Sequence, residues 1–230
     1  MSNITKSCKI QLFTYLFSMN TIRFFPIKTF NIFLIIFMIL AIYPVQVTLA
    51  ESSLYERGRA YYYGDGVEQD YEKALLAFEQ GSKLGDLDAL TAIGIMYIVG
   101  LGVENDNKKG LVYLNSAANK SHAKAQYYLG AMHYLGIGTS INYDAAYKWI
   151  SLAAAQGYIF AEHNLAQMYE TGKGVEMNLN KAYEYYISSA RKGYLESQIK
   201  VAEMYKNGIG TKKDLEKSAY WVKKIEEAKP

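Results

Sequence analysis

Two glycines one residue apart recur every 36 residues along this chain: Gly64 and Gly66, Gly100 and Gly102, Gly136 and Gly138, Gly172 and Gly174, Gly208 and Gly210. Five copies at one spacing, without a slip, exclude an ordinary globular layout. They specify a solenoid, in which each unit packs on its neighbours and the array is one elongated body. The units run 54–89, 90–125, 126–161, 162–197 and 198–230, the last one cut short.

Positions are numbered from the first glycine of each pair as zero. At −7 stand Arg57, Ile93, Leu129, Leu165 and Val201; at −6, Gly58, Gly94, Gly130, Ala166 and Ala202; at −3, Tyr61, Tyr97, His133, Tyr169 and Tyr205. A large, a small and an aromatic residue at those offsets share one helical face, and the small one admits a neighbouring helix. This predicts a first helix, over roughly 53–62 in the first copy, stopped by a left-handed glycine. Gly100 and Gly136 should therefore sit at positive φ. Asp70, Asp106, Asn142, Asn178 and Asp214 at +6 are N-caps for a second helix. Small residues at +10, large ones at +13 and +14 and small ones at +17 and +18 make its apolar stripe. Gly85, Gly157 and Gly193 end it, with Ser121 in that place in the second copy.

The second copy, in Ile93-Gly94, Tyr97, Gly100-Leu101-Gly102-Val103, Asp106 and Ala117-Ala118, resembles the Sel1-like repeat family, relatives of the tetratricopeptide repeat. The third copy departs from the pattern at His133, Thr139 and Asn142, and the fifth at Thr211. The resemblance covers about 54–228. It implies an all-α, right-handed α/α superhelix of five helix-turn-helix repeats. It also implies binding rather than chemistry, in adaptors of signalling, secretion and host interaction.

The first fifty residues are different. Lys6, Lys9, Arg23 and Lys28 are their only charges, and Phe30 to Tyr43 is almost wholly apolar before Pro44. Thr48-Leu49-Ala50 then supplies small residues at a cleavage point. Residues 1–50 thus read as a secretory signal, with Met19 as a start that would give it ordinary length and Glu51 as the mature N-terminus. The rival reading is a retained membrane anchor, since residues 29–50 carry no charge. Signal cleavage would place the array in the periplasm or outside the cell; retention would leave it anchored at the inner membrane. Residues 51–230 hold all 22 acids and the remaining 21 of the 25 bases, a net charge of −1, which gives no footprint for nucleic acid. The one cysteine, Cys8, lies in the leader.

No catalytic, cofactor or metal site is expected. Gly-x-Gly before a helix suggests a phosphate loop, but no strand precedes it and the third glycine is missing. The methionines at −4, Met96, Met132, Met168 and Met204, are core filling rather than a soft-metal ladder. His122, His133 and His163 do not pair at i, i+4. His133, in the tyrosine slot, is expected to be a packed and hydrogen-bonded core residue. Some relatives of the resembled family are linked to β-lactams. They are cysteine-rich, as these repeats are not, so a cell-envelope hydrolase is the lesser alternative.

The first helix has another face, at −9, −5 and −2, that the repeat pattern leaves free to vary. It carries Tyr55, Arg59 and Tyr62, then Ile95 and Ile98, then Tyr127 and Tyr134, then His163 and Glu170. An apolar, tyrosine-rich face on the inner side of a curved array suits a protein or peptide partner. The fifth copy, studded with Lys212, Lys213, Lys217, Lys223, Lys224, Glu226 and Glu227, reads as a polar cap.

Overall fold

The computed structural model describes residues 53–228, which form ten α-helices and no strand. They alternate as first and second helices of five hairpins. These are α1 (Leu54–Tyr63) with α2 (Tyr71–Lys83), α3 (Leu87–Val99) with α4 (Asn107–Ala118), and α5 (Ala123–Leu135) with α6 (Tyr143–Ala155). The last two are α7 (Ile159–Thr171) with α8 (Leu179–Arg191), and α9 (Leu195–Asn207) with α10 (Leu215–Glu227). Each helix packs on the next in sequence. First helices from α3 onward begin three residues before the unit starts read from the sequence, so Ala89, Ala125, Ala161 and Ser197 lie inside them, fully buried. The expected signal or anchor, residues 1–50, and the expected N-terminus at Glu51 lie outside the described residues. Among the described residues no helix is long and apolar enough to cross a membrane.

The same devices close every hairpin. The first glycine is a left-handed C-cap, with φ of 77° at Gly100 and 73° at Gly136. The N–H at +6 donates to the carbonyl at −3, from Asp70 to Tyr61 (2.9 Å) through Asp214 to Tyr205 (2.8 Å). All five Asp or Asn side chains at +6 then accept from the third backbone N–H of the second helix, at 2.9 to 3.0 Å. The second glycine has another task. A methyl group on Gly102 would lie 2.5 Å from the Tyr71 carbonyl oxygen. On Gly138, Gly174 and Gly210 it would strike the matching carbonyls of Asn107, Tyr143 and Leu179. This glycine is where each loop beds on the second helix of the preceding repeat. Gly66, in the first copy, faces open space. Ser121 takes the glycine place after α4 at φ 61°, the one non-glycine residue at positive φ among the described residues.

The core sits in the joints between repeats. Ala74 and Phe78 of α2 pack with Ile93, Met96 and Tyr97 of α3. Leu114, Ala117 and Ala118 of α4 pack with Ala125, Leu129 and Met132 of α5. From α6 onward one cluster runs unbroken to Trp221. The methionines at −4 are buried, and so is every aliphatic −7 residue; Arg57, at −7 in the first copy, is exposed. At the other end Val222 is 45% exposed, although its equivalents Phe78, Leu114, Ile150 and Tyr186 are buried.

Candidate partner-binding face

The residues expected to face a partner are less open than others on the same helices. Tyr55, Tyr62, Ile95, Ile98, Tyr127 and Tyr134 are half-buried, and Arg59 is exposed. The most open row of the first helices passes through −5 and −1. At −1 stand Tyr63 (66% exposed), Val99 (57%) and Leu135 (61%), followed by the polar Thr171 and Asn207. The sequence reading missed this row, though its signal was there: three large apolar residues just before the glycine, then two polar ones.

The −9 and −2 residues are turned toward other helices. At −2, Tyr62 meets Tyr71 edge-on (5.4 Å) and Tyr134 meets Tyr143 (5.1 Å), each at the start of its own second helix. At −9, the residues of repeats two to four meet the N-cap side chain of the next first helix. Tyr127 packs on Tyr158 (5.3 Å) and His163 on Tyr194 (4.9 Å), while Thr91 Oγ1 lies 3.0 Å from His122 Nδ1. Those N-caps are His122, Tyr158 and Tyr194, and none makes a side-chain cap bond. A cap bond worth about 1 kcal/mol is thus exchanged for an aromatic contact or, at His122, a hydrogen bond between repeats. In repeats two to four the −9 residue varies because each is matched to its own N-cap partner.

His163 and Glu170, expected to face a partner, are engaged within the array. His163 Nδ1 lies 2.8 Å from the Ser197 hydroxyl, and burial pushes its pKa down. Glu170 accepts from the buried Tyr186 hydroxyl (2.7 Å) and from Lys200 Nζ (3.3 Å). Burial and that bond push the Tyr186 phenol far up. Tyr127 and Tyr158 are also raised by burial.

Contacts between repeats show how the first helices converge. Lys124 Nζ, in α5, donates to Tyr55 Oη in α1 at 3.4 Å, two repeats away. Between them lies a cavity of about 110 Å³ lined by Tyr55, Arg59, Tyr62, Tyr63, Phe78, Ala92, Ile95, Lys124 and Tyr128. Helices α1 and α3, and α3 and α5, also touch directly.

The Sel1 repeat pattern matches five times, at residues 52–86, 87–122, 123–158, 159–194 and 195–228. The chain belongs to the Sel1 repeat family. Sel1 repeats generally mediate protein–protein interaction. The array is similar to c5321, described as a protective antigen of uropathogenic Escherichia coli, with 32% identity and a TM-score of 0.69; the match covers 76% of this chain and 37% of that one. It is similar also to a Sel1 repeat protein from Oxalobacter formigenes, with 31% identity and a TM-score of 0.67, covering 76% of this chain and 69% of that one. No curated protein matches the chain.

Within the Sel1 array, one cluster imitates a catalytic set. Asp88 Oδ1 lies 3.5 Å from His122 Nε2, whose Nδ1 meets Thr91. Thr91 is fully buried, and its hydroxyl donates to the Leu87 carbonyl at 2.6 Å, so its proton points away from the histidine. This is a latch between repeats, not an activated nucleophile. Among the described residues, no three His, Cys, Asp or Glu are grouped to hold a metal ion.

His133 departs from expectation. It is half-buried, its pKa is lowered by burial, and its Nδ1 has no hydrogen-bond partner. The reason is visible in the other copies. A lysine at +9 lies over the −3 ring for Lys73–Tyr61, Lys109–Tyr97, Lys181–Tyr169 and Lys217–Tyr205, at 4.2 to 5.7 Å. The third copy has Ala145 there, and Leu111 of the preceding repeat offers no hydroxyl.

Proposed function

We propose that this chain is an exported protein-interaction scaffold that holds a partner protein along the open face of its first helices in repeats one to three. The carrying observation is the exposed row Tyr63, Val99 and Leu135 beside the aromatic cavity. These side chains lie outside the buried clusters that hold the repeats together, and an apolar row of this kind on a repeat array is a docking feature. The Lys124–Tyr55 contact, spanning two repeats, supports placing this face on the inside of the curve, because only there do alternate repeats approach. Export rests on the leader of residues 1–50; N-terminal sequencing of the isolated protein distinguishes a chain beginning at Glu51 from an anchored one.

The test is the triple change Tyr63→Ser, Val99→Ser and Leu135→Ser. It should abolish capture of the native partner while leaving the helical circular dichroism and the melting temperature nearly unchanged. Undiminished capture by the folded variant would place recognition elsewhere.

A further inference from the structure

The cavity between α1, α3 and α5 is lined mainly by aromatic and aliphatic side chains, with two basic residues among them. Tyr55, Tyr62, Ile95 and Tyr128 line it, with Arg59 and Lys124 beside them. Arg59 is paired with Glu56 at 3.1 Å on the exposed side of α1. Lys124 is half-buried and, among the described residues, has no carboxylate within ion-pairing distance. Its one side-chain bond is to the Tyr55 hydroxyl, which leaves two ammonium donors unspent.

Helix stability does not account for this lysine. Lys124 is in the first turn of α5, where the helix dipole disfavours a cation. The other four first helices carry an acid in that turn, namely Glu56, Asp88, Glu162 and Glu196. The exception falls where the residue overhangs the cavity.

Resting on the docking face above, the geometry points to a cavity that takes a bulky apolar side chain of a partner segment, with an adjacent Asp or Glu side chain of that segment bound by Lys124. The volume of about 110 Å³ suits one side chain. The unspent donors face a carboxylate at its rim, and a charge-assisted bond beside an apolar pocket is the stronger for its partial desolvation. The face continues past the cavity to Val99 and Leu135, so the segment runs on rather than ending there.

Random heptapeptides displayed within a coat-protein loop, and a second library with free C-termini, are panned on the isolated protein and on its Lys124→Met and Lys124→Arg variants. The loop library should enrich Asp or Glu beside a large apolar residue by roughly tenfold, the worth of one charge-assisted bond. Lys124→Arg should keep that preference and Lys124→Met should lose the acid while keeping the apolar residue. Apolar sequences without an acid, or an acid equally preferred by Lys124→Met, overturn the inference and leave the docking face standing. Enrichment only among free C-termini overturns it in favour of a terminal carboxylate. Selection unaffected by Val99→Ser with Leu135→Ser, or no selection at all, overturns the docking face as well.

Discussion

The two halves of the array join their repeats differently. From α2 to α5 each joint has its own apolar cluster, and Leu75 and Leu111 occupy the +11 position that meets the next repeat. From α6 onward the clusters fuse, and +11 is tyrosine in the third and fourth copies, at Tyr147 and Tyr183. Tyr147 and Tyr169 share a hydroxyl bond at 3.0 Å, and Tyr183 and Tyr205 one at 2.5 Å. Burial and the Tyr205 hydroxyl raise Tyr183 up to about 12, and burial and the Tyr147 hydroxyl likewise push Tyr169 up. The same half holds two buried polar side chains tied to partly exposed partners: Glu162 with Lys192 (2.7 Å) and Ser188 (3.0 Å), and Tyr186 with Glu170. The first half has fewer such ties and presents the open apolar row. Cohesion is concentrated at one end and the open apolar row at the other.

The largest effect that sharpens this contrast comes from the second glycine. Gly174→Ala puts a methyl group into the Tyr143 carbonyl and should cost about 3 kcal/mol. Gly66→Ala meets open space and should cost only the left-handed strain, about 1 kcal/mol. Equal losses in chemical denaturation would show that the loop does not bed on the preceding repeat. Next come Tyr147→Phe and Tyr183→Phe. Each should cost about 1 kcal/mol, and they should add, since they lie in separate joints. Neutral results would remove the hydroxyl bonds from the account of the second half.

The smallest change concerns the third copy, where the halves meet. His133→Tyr with Ala145→Lys restores the lysine-over-tyrosine pair and should gain about 1 kcal/mol, more than the two single changes together. It should also alter the response to acid. Burial lowers the folded pKa of His133 and His163 from 6.5, so the folded state binds fewer protons than the unfolded. Stability from this source is full above pH 6.5 and falls as the pH drops from there toward the folded values. The double variant should lose less between pH 7 and 5 than the native chain; an identical loss would assign the sensitivity to His163 or to the carboxylates.

Much of this was legible in the sequence, for a physical reason. Glycine zero, the +6 cap and the −7, −6, −3 stripe serve the same backbone geometry in every copy, so repetition exposes them. The joints were not legible. Thr91 with His122, Tyr127 with Tyr158 and His163 with Tyr194 are one-off pairs between residues 31 apart, and no periodicity marks a pair whose two members change together. Their variation resembled the freedom of a binding surface. Lys124 was missed likewise, because its importance lies in a neighbour two repeats away.

Hydrogen exchange tests the division between the halves most directly. Helices α3 and α4 stand one repeat from the first end of the array, and α7 and α8 one repeat from the last, so end-fraying affects them alike. Central amides of α7 and α8 should exchange at least about tenfold more slowly than those of α3 and α4, reflecting their denser local ties. Equal protection in the two pairs, or greater protection in α3 and α4, would contradict an array whose cohesion lies in its second half.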